Sequence, residues 1–173
     1  MKILALDLAR NTGFALGEER DRVPTFGSIR FGSAGASHQA VFAAALTWAS
    51  ENFRIWRPDR IVREAPLHFR GRASREGNDE IAHGLAAIMM AVAHLLGIFD
   101  VRKADTRDVR MHFLGENPRR EIAKAKTKAR CRMIGWKVTD DDQADACATW
   151  SYECGLRNME ASLRPTGLFG QGA

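Results

Sequence analysis

Residues 3–17 read ILALDLARNTGFALG, and how this stretch is read decides the fold. Ile3-Leu4-Ala5-Leu6, followed by Asp7 and Leu8, is an apolar run of strand length and predicts a buried strand. Asn11-Thr12-Gly13 supplies a turn, and Phe14-Ala15-Leu16-Gly17 predicts a second strand returning beside the first. Asp7 is the anomaly in this pattern. A carboxylate set among leucines costs several kcal/mol unless a cation or hydrogen bonds compensate it.

Working outward, a charged loop from Glu18 to Pro24 leads to a third alternating segment, Phe26 to Phe31, which completes an antiparallel meander. Apolar residues at Val41, Ala45, Leu46, Trp48, Ala49 and Phe53 recur at helical spacing and predict a helix from Ser37 to Trp56, closed by Pro58. Arg60-Ile61-Val62-Arg63-Glu64 predicts a strand ending in an acid. A Pro/Gly/Arg-rich loop covers 65–78, a Met-rich helix runs from Glu80 to Leu96, Gly97 ends it, and a fifth strand runs from Ile98 to Arg102. Three helices follow, at 106–114, 119–134 and 140–156. The organisation is one domain over residues 1–156 and a loose tail over 157–173, with Pro165 and three late glycines. Strands and helices in this order define an α/β fold, a five-stranded mixed sheet flanked by helices on both faces.

The 173 residues are enough for a single well-buried core. Twenty-six Lys and Arg against 21 Asp and Glu give a net charge of +5, which favours a polyanionic partner. Twelve of those cations and only four acids lie between Arg102 and Lys137, a local excess of +8 that exceeds the whole chain's. Positive charge is therefore concentrated where phosphates would supply affinity without base reading. Cys131, Cys147 and Cys154 form no CxxC pair and read as reduced core thiols of a cytoplasmic protein. No apolar stretch predicts a signal peptide or a membrane span.

Against this basic background, residues 139–147 read TDDDQADAC. Thr139 to Asp142 resembles a capping box, with acids favoured by the helix dipole. Asp145 resists that reading, since it lies in the second turn between two alanines. Asp142 and Asp145 are three apart and share a helix face. With Asp7 and Glu64 they make four carboxylates at the ends of core elements, and one cause accounts for all four. Hard divalent cations take oxygen ligands, and two of them about 4 Å apart stabilise the attacking and leaving oxygens of a phosphodiester. Ala144, Ala146 and Ala148 would let the helix lie close enough to the sheet to bring its acids toward Asp7.

These stretches carry a resemblance. ILALDLARNTGFAL resembles the first motif of the RuvC-like Holliday-junction resolvases, IVREAP their second acidic motif, and DDQADACA their final D-x-x-D-A helix. The resemblance implies an RNase H-like fold and four catalytic, metal-binding acids at Asp7, Glu64, Asp142 and Asp145. It implies Mg²⁺ or Mn²⁺, two per active site, activating water to leave 5′-phosphate and 3′-hydroxyl ends. It also implies a homodimer acting on four-way DNA junctions, and a lysine in the penultimate helix for which Lys124 and Lys126 are both candidates. The chain departs from the pattern after Asp7: Leu8-Ala9-Arg10-Asn11 replaces the usual Gly-rich turn, which suggests a divergent, phage-like branch.

DNA contacts are expected from Arg119, Arg120 and Lys128 in the basic segment, and from the loop after Glu64. There Arg70, Arg72 and Arg75 would grip backbone while Phe69 stacks on an unpaired base or packs in the core; His68 is a weaker candidate for proton transfer. The Met-rich helix, with Ile88, Met89, Met90, Val92 and Leu95, either serves the monomer core or forms a dimer face. Three other readings stand beside the resolvase: an RNA-processing nuclease of the YqgF-like kind, a phosphotransferase domain of the actin and sugar-kinase type, and a non-catalytic nucleic-acid-binding module. The phosphotransferase requires Gly-rich phosphate loops that this sequence lacks.

Overall fold

The structure, a computed structural model, describes residues 1–65 and 76–163, of which 76–79 and 160–163 are described as backbone only. Its elements are β1 (Lys2–Asp7), β2 (Asn11–Glu18), β3 (Thr25–Arg30), α1 (His38–Trp56), β4 (Arg60–Glu64), α2 (Glu76–Leu95), β5 (Asp100–Ala104), α3 (Thr106–Leu114), α4 (Arg120–Met133) and α5 (Asp141–Leu163). The order matches the sequence expectation throughout. The strands form one mixed sheet in the order β3-β2-β1-β4-β5. β1, β2 and β3 are antiparallel neighbours, and β4 and β5 run parallel to β1.

Strand alternation divides the core in two. Leu4, Leu6 and Ile61 point to the face covered by α1 and α2, where they meet Val41, Phe53, Leu85 and Met89. Ile3, Ala5, Ala15, Val62 and Ala104 point to the other face, which α3, α4 and α5 cover with Val109, Cys131, Ala144, Cys147 and Trp150. Asp7 and Glu64 share the parity of Ala5 and Val62, so both belong to the α5 face. β1 is central and fully buried from Ile3 to Leu6, which is why its apolar run shows no alternation.

The helices follow local signals. Ser37 caps α1 by accepting from the Ala40 amide (3.3 Å), and Arg57 ends it in the left-handed region (φ 46°) just before Pro58. Val41, Ala45, Ala49 and Phe53 are its buried stripe, whereas Leu46 is half exposed. α2 lies close against α1 because Gly84 leaves room for the Phe42 ring, which a Cβ there would strike.

Several boundaries differ from expectation: Asn11-Thr12-Gly13, expected as a turn, is the first part of β2, paired with Arg30, Ile29 and Ser28 of β3, and α2 begins at Glu76 rather than Glu80. β5 starts at Asp100 and not at Ile98, because Ile98 belongs to the closing motif of α2: Gly97 (φ 76°) donates to the His94 carbonyl (3.1 Å) and Ile98 to Ala93 (2.8 Å). α5 continues to Leu163, past the expected end at 156. Its later turns are held from outside: the His112 ring packs over Gly155, and Arg157 Nε lies 3.7 Å from Glu19.

Away from the acidic end, the buried Arg60 guanidinium bonds both Glu153 on α5 and Asp100 on β5 (Nε 2.7 Å). This pairing fastens α5 to the sheet at the opposite end from Glu64. The three cysteines are free and buried, as expected, and burial pushes the thiols of Cys131 and Cys154 up to about 12 and raises that of Cys147 strongly as well. No described helix is long and apolar enough to cross a membrane.

Candidate active site

The two acid-bearing strands end side by side. β1 and β4 are parallel with Leu6 opposite Arg63, so Asp7 and Glu64 are the next residues along each strand. Glu64 is itself opposite Ala104 at the end of β5. On the other flank Asp7 is paired with Gly13 of β2. A Cβ at Gly13 would collide with the backbone carbonyl of Asp142. The missing side chain thus lets the first turn of α5 rest on the sheet beside Asp7, and the fully buried Ala144 and Ala146 continue that contact.

The four aspartates of 140–145 have separate duties. Asp140 caps α5, accepting from the Gln143 amide (2.8 Å) and from the Ser28 hydroxyl of β3 (2.7 Å). Gln143 reaches back to the Thr139 amide (3.0 Å), a variant of the expected capping box. Asp141 pairs with Lys128 (2.7 Å) and Lys124 (3.8 Å) of α4, and Lys128 chiefly holds its carboxyl below the usual range. Asp142 accepts a hydrogen bond from the Asn11 amide at the start of β2. Asp145 lies one turn on, on the side toward Glu64.

The charges of the four candidates act on one another. Burial, then the charges of Glu64, Asp145 and Asp142, hold the Asp7 carboxyl well above its ordinary range. Burial, then Asp145, raises Glu64 to about 7, against the opposing pull of Arg110 and Arg120. Burial raises Asp145 to about 6, with Lys124 and Arg110 opposing. Carboxylates crowd one another in this way when they are drawn together with too little positive charge between them.

Among the described residues, no group of three or more His, Cys, Asp or Glu is already arranged to hold a metal ion. The four acids share a field without forming a finished coordination shell. Their donor chemistry nonetheless fits a hard divalent cation: every donor is a carboxylate oxygen, and the cluster is short of positive charge.

The two candidate lysines separate. Lys124 stands beside Asp141, and its charge acts on Asp7 and Asp145. Lys126 faces away and pairs with Glu116. Lys128 is engaged by Asp141, Arg120 acts on Glu64, and Arg119 is exposed just before α4. His68, Phe69, Arg70, Arg72 and Arg75 lie outside the described residues. Sequence reasoning missed Asn11 and Arg110 as members of the site. Neither a polar residue at the start of a strand nor one arginine among many carries a local signal; the packing of α5 on β2 identifies Asn11, and the placement of α3 beside Glu64 identifies Arg110.

A mixed β3-β2-β1-β4-β5 sheet with helices on both faces is an RNase H-like fold. Within that class, the fold is similar to that of RuvC. The chain superposes on Thermus thermophilus RuvC in complex with a Holliday junction substrate with a TM-score of 0.72 at 14% identity, covering 92% of this chain and 96% of that one. A second Thermus thermophilus RuvC structure gives 0.69 at 14% identity, over 92% and 97% of the two chains. The yeast mitochondrial Holliday junction resolvase Ydc2 gives 0.65 at 10% identity, over 94% and 81%. No protein-family model matches the sequence, and no curated protein matches it.

Proposed function

We propose that the chain is a divalent-metal-dependent endonuclease that resolves four-way DNA junctions as a homodimer. The observation that carries this reading is the crowding of Asp7, Glu64, Asp142 and Asp145 at the adjoining ends of β1, β4 and α5 on a RuvC fold. One of the similar RuvC structures is itself bound to a Holliday junction.

Asp7, Glu64, Asp142 and Asp145 would hold Mg²⁺ or Mn²⁺, which supplies charge stabilisation for the attacking and leaving oxygens of the phosphodiester. Lys124 adds a fixed positive charge beside Asp7 and Asp145, where the scissile phosphate would lie. Arg110 and Arg120 border Glu64 and extend that positive edge toward the exposed start of α4, a path for the phosphate backbone. Water attacks phosphorus, the bond to the 3′ oxygen breaks, and the products carry a 5′-phosphate and a 3′-hydroxyl. Paired nicking requires two such sites, and the exposed Met90, Leu95 and Phe99 beside the outer end of α2 offer an apolar surface for a second copy.

Incubating the protein with a synthetic four-way junction, each strand end-labelled in turn, tests the proposal. Symmetric nicks in opposed strands that require Mg²⁺ or Mn²⁺ are expected. Cleavage of structured RNA in preference to the junction would move the activity to RNA processing. Binding of the junction with no cut in either metal would leave a binding module.

A further inference from the structure

The hydrogen bond from Asn11 Nδ2 to Asp142 Oδ2 joins segments 131 residues apart. Asn11 opens β2, with Arg30 as its partner on β3, and strand alternation places its side chain on the α5 face with Gly13 and Ala15. Gly13 already seats the backbone of Asp142 against the sheet. β2 therefore fixes Asp142 twice, by its main chain and by its carboxylate.

The neighbouring aspartate shows what this choice of partner does. Asp141 is bonded by Lys128 and approached by Lys124, so its charge is balanced within the protein. Asp142 is bonded by a neutral amide instead. An amide donates to a carboxylate and orients it while adding no charge, so the full negative charge remains for a cation. A lysine or arginine at position 11 would neutralise Asp142 and compete with that cation. Among four carboxylates that repel one another, an unrestrained Asp142 would swing outward toward solvent.

We propose that Asn11 is a positioning residue: its amide fixes Asp142 Oδ2 and so orients the carboxylate that would hold the cation. This deepens the metal-dependent reading and rests on it. It also gives a role to the Leu8-Ala9-Arg10-Asn11 turn: the turn delivers a side-chain donor across to α5.

Calorimetric titration of the full chain with Mn²⁺, in parallel with thermal melting of the metal-free protein, tests this directly. Asn11→Ala is expected to weaken Mn²⁺ binding by about ten- to a hundredfold, with little change in the metal-free melting temperature. Asn11→Leu, near in size and without a donor, behaves the same way and serves if the alanine variant folds poorly. Asn11→Gln, which keeps the amide, recovers part of the affinity. Equal Mn²⁺ affinity in the wild type and both donor-free variants overturns the inference, and a lowered metal-free melting temperature with unchanged affinity would mark Asn11 as structural only. If the wild type binds Mn²⁺ and cuts no junction, the nuclease reading fails while this inference stands; a wild type that binds no Mn²⁺ removes both.

Discussion

Gly13 and Asp142 meet where β2 and α5 cross: the carbonyl of Asp142 occupies the space that a Cβ on Gly13 would need. Because Gly13 is also the ladder partner of Asp7, this one close approach sets the distance between Asp7 and Asp142. Gly13→Ala is expected to push the start of α5 off the sheet. The cost is that of overpacking a tight core, about 1–3 kcal/mol in denaturant unfolding, and cleavage falls by more than the stability loss explains. Unchanged stability in the alanine variant would mean that α5 does not rest on β2 there.

Asp7→Asn and Asp145→Asn separate catalysis from folding. Each would remove a proposed cation ligand, so junction cleavage is expected to vanish while binding measured by gel shift persists. Asp145 is raised to about 6 in the fold, so the ionised form that predominates at neutral pH destabilises the metal-free protein, and the amide relieves that cost. Asp145→Asn is accordingly expected to stabilise the metal-free protein by roughly 1 kcal/mol at pH 7, a value discounted for partial solvent access. Full cleavage by either variant contradicts the assignment.

The same carboxyls set a pH dependence. Asp7, Glu64 and Asp145 hold their protons more tightly in the fold than in the unfolded chain. The native state therefore binds more protons between the ordinary carboxylate range and about pH 7, and the contribution of these groups to stability falls as pH rises through that window. Metal-free protein is expected to lose melting temperature from pH 5 to pH 7.5 in low-salt buffer, and millimolar Mg²⁺ to restore it most at the upper end. A restoration independent of pH would show that the cation binds elsewhere.

Lys124 and Lys126 offer a matched pair of substitutions on one helix. Lys124 acts on Asp7 and Asp145, whereas Lys126 pairs with Glu116 on the outer side. Lys124→Ala is expected to lower the cleavage rate by about a hundredfold, the scale of losing one fixed charge at a reacting phosphate. Lys126→Ala leaves the single-turnover rate within a few fold of wild type. Equal losses in the two variants would assign both lysines to general DNA attraction.

Much of this was legible in the chain because local and global signals agree. The uninterrupted apolar run of β1 reports a central strand, the four-residue spacing of Val41, Ala45, Ala49 and Phe53 reports α1, and Gly97 and Gly135 mark helix ends at positive φ. Asp7 stood out because a carboxylate among leucines is costly, Asp145 because the helix dipole does not explain it, and Glu64 and Asp142 because they too lie at the ends of core elements. What the sequence concealed depends on which faces meet. Asp140, Asp141 and Asp142 are chemically alike in the chain, yet the fold gives one to a helix cap, one to the lysines of α4 and one to Asn11. Spacing alone could not divide Lys124 from Lys126 either, because the rotation of α4 about its buried Ala123, Thr127 and Cys131 stripe decides which of them looks inward.

The most direct measurement is an anomalous difference map from crystals soaked in Mn²⁺. Manganese peaks within bonding distance of carboxylate oxygens from Asp7, Glu64, Asp142 and Asp145, at the adjoining ends of β1 and β4, are the predicted result. Manganese bound only elsewhere, or an acid cluster that stays empty at saturating Mn²⁺, would contradict the account.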